Sequence, residues 1–102
     1  MFKYLVIFFI NLTLSWSIQI SGYIRDSSTG KSIPNANITI LETRQGTASS
    51  PYGYFKLDIS EGIYTIEISV IGFKTYTREI KINENNLEIN IDLQTAILEF
   101  NE

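Results

Sequence analysis

Apolar and polar residues alternate along most of this chain, in runs cut by glycine, proline, asparagine and serine. A period of two is the mark of a strand with one dry face and one wet face. In the first such run Ile18, Ile20 and Ile24 fall on one side, and Gln19, Ser21, Tyr23 and Arg25 on the other. Gly22 lies on the apolar side, where a missing side chain marks a bulge or a close crossing. The Asp26-Ser-Ser-Thr-Gly30 cluster predicts a turn, because short polar side chains bond their own backbone and glycine tolerates positive φ. Pro34 cannot donate to a ladder and belongs before a strand or at an edge. Ala36, Ile38 and Ile40 then line one face, with Asn37 and Thr39 on the other.

The polar stretch from Arg44 to Gly53 is predicted to carry a short strand near Gly46 to Ala48 and a turn at Pro51-Tyr-Gly53. Phe55, Leu57 and Ile59 resume the alternation, and Glu61-Gly62 predicts another tight turn. The longest strand is expected from Ile63 to Ile71, with Tyr64, Ile66, Ile68 and Val70 inward and Gly72 ending it. A return strand follows over Lys74 to Ile82, with Thr75, Thr77, Glu79 and Lys81 outward. After the Asn83-Glu-Asn-Asn86 turn, Leu87, Ile89, Ile91 and Leu93 give the cleanest alternation in the chain. Six or seven strands with one wet face and no helix predict an all-β fold, an antiparallel Greek-key β-sandwich.

Residues 1–17 have a different composition, which changes the domain plan. Lys3 supplies a positive start, an apolar run extends to Leu14, and Ser15 and Ser17 are small residues spaced as a signal peptidase requires. Cleavage before Ile18 is expected, because a dozen apolar residues fall short of the ~20 that span a bilayer. The plan is therefore a signal peptide over 1–17, a sandwich over 18–93 and a linker or tail over 94–102. In that tail the alternation stops. Ile97, Leu98 and Phe100 are expected either to form an apolar hook on a mobile linker, able to pair with a partner's strand edge, or to belong to an ordinary frayed terminus.

Composition then removes most chemistry. There is no cysteine and no histidine, so disulfides, thiolate metal sites, lipid attachment at cysteine, imidazole zinc ligands and Ser-His or Cys-His pairs are all excluded. Eleven Asp and Glu against eight Lys and Arg give a formal charge of −3 and leave no basic stripe for nucleic acid. Ser27 to Thr29 belong to a turn and have no base to activate them. The sequon Asn37-Ile-Thr39 sits on a predicted strand, where it is expected to be inert. Tyr23, Tyr52, Tyr54 and Tyr76 are candidates for an exposed aromatic platform, although tyrosine is also a favoured strand residue. Lys56 and Asn90 fall on outer faces, which argues against an intramolecular isopeptide bond. No catalytic, metal or cofactor-binding residue is expected.

The order of these pieces resembles the carboxypeptidase-regulatory-like domain, a transthyretin-like (prealbumin-like) sandwich. The resemblance rests on the opening Ile20-Ser-Gly-Tyr-Ile-Arg-Asp26 and the Thr29-Gly-Lys-Ser-Ile-Pro-Asn-Ala-Asn-Ile38 connection. It continues through Gly46-Thr47, Tyr52-Gly-Tyr-Phe55, Glu61-Gly-Ile-Tyr64 and Val70-Ile-Gly-Phe73. Its motif positions here are Gly22, Gly30, Pro34, Ala36, Gly46, Gly53, Phe55, Gly62, Tyr64, Gly72 and Phe73. The Ser49-Ser-Pro-Tyr52 turn departs from the family's acidic turn, which argues against a cation site there. The resemblance implies a non-catalytic accessory domain, since in metallo-carboxypeptidases the zinc site belongs to a separate domain. It also implies the arrangement seen in TonB-dependent outer-membrane receptors of Bacteroidetes-type bacteria, where the domain directly follows the signal peptide. The expected partners are then a receptor plug or barrel or a TonB-type energiser. The location is periplasm or outer membrane, with membrane association only through the larger receptor. The alternatives are a free-standing exported interaction module and the detached appendage of a carboxypeptidase.

Overall fold

Isoleucine supplies most of the interior, and its β-branched side chain, stiff at χ1, suits a pleated surface better than a helix. The computed structural model describes residues 18–96. The expected signal peptide, with Ser15 and Ser17, and the apolar hook of Ile97, Leu98 and Phe100 lie outside the described residues.

Eight strands follow in order: β1 (Ile18–Asp26), β2 (Asn37–Ile40), β3 (Gly46–Ala48), β4 (Tyr54–Ile59), β5 (Gly62–Ser69), β6 (Tyr76–Ile82), β7 (Leu87–Glu88) and β8 (Ile91–Leu93). One sheet has the order β4-β1-β7, with β8 joining β1 beyond β7. The other has the order β3-β2-β5-β6. Ile20, Ile24, Phe55 and Leu93 from the first sheet meet Ile38, Ile40, Ile66 and Ile68 from the second in one buried cluster. The protein is a β-sandwich without a helix among the described residues, as the alternation predicts.

Several local features differ from the sequence expectation. β1, with nine residues, is longer than β5, with eight. Gly62 opens β5 instead of sitting in the turn, and Val70 lies just past the strand yet still packs on the core. The return strand begins at Tyr76 and not at Lys74, because residues 72–74 bond elsewhere: Lys74 N–H donates to Gln94 O, and Ala96 N–H donates to Gly72 O. Backbone pairing thus runs past Leu93 as far as Ala96.

The last strand holds the largest difference. All other ladders are antiparallel, as expected, but β1 pairs with β7 and β8 in parallel. After β6 the chain crosses from one sheet to the other and so reaches β1 running in the same direction, which a hairpin could not do. Alternation over Leu87, Ile89, Ile91 and Leu93 is kept, but the ladder is broken at Ile89 and Asn90. The registers also fix the poles of the sandwich. Ile18 lies opposite Ile59 at one end, and Asp26 lies beside Leu93 at the other. The chain enters at one pole and Ala96 leaves at the opposite one.

Candidate functional site

Three polar arrangements hold the connections of this sandwich, and each begins with a residue that leaves room or supplies a missing bond. The first is centred on Gly22. A β-carbon there would lie 1.7 Å from the Ile89 carbonyl oxygen and 2.6 Å from its carbon, so the close crossing expected at this position is real. The Ile89 carbonyl is turned into the space that the glycine leaves. The Asn90 side chain supplies an acceptor to β1 at this break: Tyr23 N–H donates to Asn90 Oδ1 at 3.1 Å. One step before β7, Gln19 N–H donates to Asn86 Oδ1 at 2.9 Å. Two asparagine amides therefore extend a backbone ladder where the backbone itself does not.

The second arrangement is built on Ser49, the buried polar residue of the core. Its hydroxyl donates to Ile33 O and accepts from Ala36 N–H, both at 2.8 Å. Pro34 and Asn35 turn between these two partners, Asn35 at φ 57°, and Ser49 keeps the turn's buried polar groups satisfied. Gly53 closes the same corner: at φ 78° it receives the Ile24 N–H, and a β-carbon would meet Ile24 O at 2.6 Å.

Charge enters through the third. Asp26 Oδ1 accepts the Ser28 hydroxyl at 2.7 Å and the Ser28 N–H at 2.8 Å. These bonds, the hydroxyl first, hold the Asp26 carboxyl below its usual range. Glu42 Oε1 accepts the Thr65 N–H at 2.6 Å, and that bond likewise lowers the Glu42 carboxyl. Both carboxylates act on backbone donors, and Asp26 also holds the Ser28 hydroxyl within its own turn.

The outer face of the first sheet carries the chemistry best suited to contact. Tyr23 on β1 and Tyr54 on β4 are register partners, their rings 5.3 Å apart and tilted by 55°. The Arg25 guanidinium stands 5.6 Å from the centre of the Tyr23 ring, within cation–π range. Tyr52 is largely exposed in the adjoining turn, while Tyr76 belongs to the other sheet and packs on the core. The platform of four tyrosines reduces to a pair with an arginine beside it. Such a face can stack on planar or apolar groups, but it has no acid–base function.

Other positions singled out from the sequence fall into structural roles. Ala36 and Phe55 are core residues. The Tyr64 ring covers Gly62, and its hydroxyl donates to Glu61 O. Gly46 opens β3, Gly30 ends the Asp26 turn, and Phe73 bridges to Thr95. Lys56 and Asn90 are both exposed, on opposite sides of β1. Among the described residues no group of three or more Asp and Glu converges as a metal site would require. Ser49, Asn86 and Asn90 carry the connections, and the sequence gives no pattern that singles them out.

The profile of the CarboxypepD_reg-like domain matches residues 20–102. No curated protein matches the chain. Among solved structures, a chain of the type II cohesin–X–dockerin complex of Acetivibrio cellulolyticus has 21% identity and a TM-score of 0.60, covering 72% of this chain and 52% of that one. The group B streptococcus pilus 2b backbone protein has 11% identity and a TM-score of 0.63, covering 78% and 41%. A DUF3823 family protein from Bacteroides ovatus has 10% identity and a TM-score of 0.60, covering 78% and 45%. At such identities the likeness is one of fold. The chain spans about half the length of each of these proteins, or less.

Proposed function

The chain belongs to the CarboxypepD_reg-like domain family, and from that membership we propose that it is an exported, non-catalytic interaction domain, the periplasmic amino-terminal domain of a TonB-dependent outer-membrane receptor. The observation that carries the reading is the family match over residues 20–102 directly behind a leader-like segment. In receptors that this arrangement resembles, the domain stands between signal peptide and plug. The non-catalytic part is supported by composition, since a chain without histidine or cysteine lacks the usual proton shuttle and soft metal ligands. An interaction role is supported by solved neighbours whose own names are those of assembly proteins, a cohesin–dockerin complex and a pilus backbone. The partner is a protein, met through the Tyr23–Tyr54–Arg25 face or through the segment that leaves beyond Ala96.

Two measurements test this reading. Amino-terminal sequencing of periplasmic material is expected to begin at Ile18, and recovery of an intact Met1 end from the membrane would overturn export by cleavage. Sequencing the transcript beyond the codon for Glu102 is expected to continue into a plug and many amphipathic strands. A stop codon there would overturn the receptor reading in favour of a free-standing module, and a zinc-peptidase domain would favour a carboxypeptidase appendage.

A further inference from the structure

β1 starts at one pole of the sandwich, β8 ends at the other, and the two strands run parallel, side by side. Tension between Ile18 and Ala96 therefore draws them along their own axes in opposite directions. Bonds between them are then strained together, not one after another from an end. We propose that the seam joining β1 to β7 and β8 is a shear clamp, which makes the domain resist a pull along the chain.

The seam is built for that load at both of its irregular points. Besides the regular ladder, four bonds cross it: Gln19 N–H to Asn86 Oδ1, Ile89 N–H to Ser21 O, Tyr23 N–H to Asn90 Oδ1, and Ser27 N–H to Leu93 O. Both asparagine amides thus add strength to the one ladder that tension would shear. Gly22 adds a stop. The Ile89 carbonyl rests where a β-carbon would stand, on the face filled at the neighbouring inward positions by Ile20 and Ile24, both fully buried. Sliding the seam by one pleat repeat drives that carbonyl into one of those side chains. Beyond Leu93, the bonds of Gln94 and Ala96 to residues 74 and 72 tie the exit to the second sheet as well. The clamp does not rest on the receptor reading, because any neighbour pulling on the two poles would load it.

The chain has no cysteine, so single introduced cysteines define attachment points for force spectroscopy. The full chain is held by its two termini, and a second molecule is held between the amino terminus and Glu84→Cys. Glu84 lies in the turn before β7, at the same pole as Ile18, so this second pull peels β7 from β1 bond by bond. Pulling the termini is expected to need severalfold more force, because the ladder and the four added bonds share the load instead of breaking one at a time. The double variant Asn86→Ala, Asn90→Ala should lower that ratio. Ile80→Val, which thins the core from β6 without touching the seam, should leave it unchanged. Equal forces in the two directions, or an asparagine variant that keeps the native ratio, would overturn the clamp. If the double variant does not fold, the comparison of directions in the otherwise native chain decides alone.

Discussion

Replacing Gly22 by alanine adds one methyl group, and the structure says where it goes. The new carbon would stand 1.7 Å from the Ile89 carbonyl oxygen, a backbone atom that cannot swing aside as a side chain can. To restore ordinary contact the Ile89–Asn90 stretch must retreat by about 1.5 Å, which carries its hydrogen bonds past their useful range. Those bonds are Ile89 N–H to Ser21 O at 2.8 Å and Tyr23 N–H to Asn90 Oδ1 at 3.1 Å. At ~1 kcal/mol each they amount to about 2 kcal/mol. Partial loss of the Ile89 burial adds about 1–2 kcal/mol, and the stiffer unfolded chain returns ~0.4–1 kcal/mol. The net loss is about 3 kcal/mol, a fall in Tm of roughly 15 °C for a domain of this size. Thermal and urea denaturation of the domain measure it directly. Gly30→Ala is the control: its β-carbon would meet nothing within 4 Å, but its φ of 73° is left-handed, so it should cost only ~1 kcal/mol. If Gly22→Ala costs no more than that control, the Ile89 carbonyl is not what the glycine accommodates.

Ser49→Ala leaves the Ala36 N–H and the Ile33 carbonyl unpaired in the core and should cost about 2–3 kcal/mol. The Ala36 amide should then exchange hydrogen faster in the native state, and unchanged protection would contradict the role given to Ser49. Asp26 should make stability depend on acid. Its folded pKa is lowered from 3.8 by Ser28, so its contribution is fully present above that value and is lost as pH falls through the folded pKa. The Asp26→Asn variant should show a flatter stability curve in that acidic window, and parallel curves would refute the assignment. Glu42→Gln should behave in the same way, through the Thr65 N–H.

The strands were legible because each has one wet face. Ile18, Ile20 and Ile24 on β1, and Phe55 and Ile59 on β4, are buried where the alternation puts them. The turns at Asp26 and Asn83 were legible because those side chains bond backbone N–H groups two residues on, and the turn at Pro51 because proline and Gly53, at φ 78°, punctuate it. Strand direction was not, since Leu87, Ile89, Ile91 and Leu93 would read the same in either sense; only the crossing between sheets decides it. The break at Asn90 was hidden because burial continues unchanged through it while a side chain replaces the backbone acceptor. Ser49 stands beside another serine in a polar connection, and nothing local marks which of the two turns inward. On the outer face Tyr23 and Tyr54 share a register that only the β1–β4 pairing creates.

β1 lies in the interior of its sheet, yet its partners in β7 and β8 arrive late in the chain. The bonds of Gln19 to Asn86 and of Tyr23 to Asn90 each span 67 residues. Closing a loop of that length costs about 4 kcal/mol of chain entropy before any contact repays it, and such distant pairings fold slowly. A ribosome delivering this chain amino end first makes β1 early and must deliver β2 to β6 before β7 and β8 can complete its sheet. Until Leu93 has emerged, β1 is paired on one side only, with β4, although every strand of the other sheet has already been made.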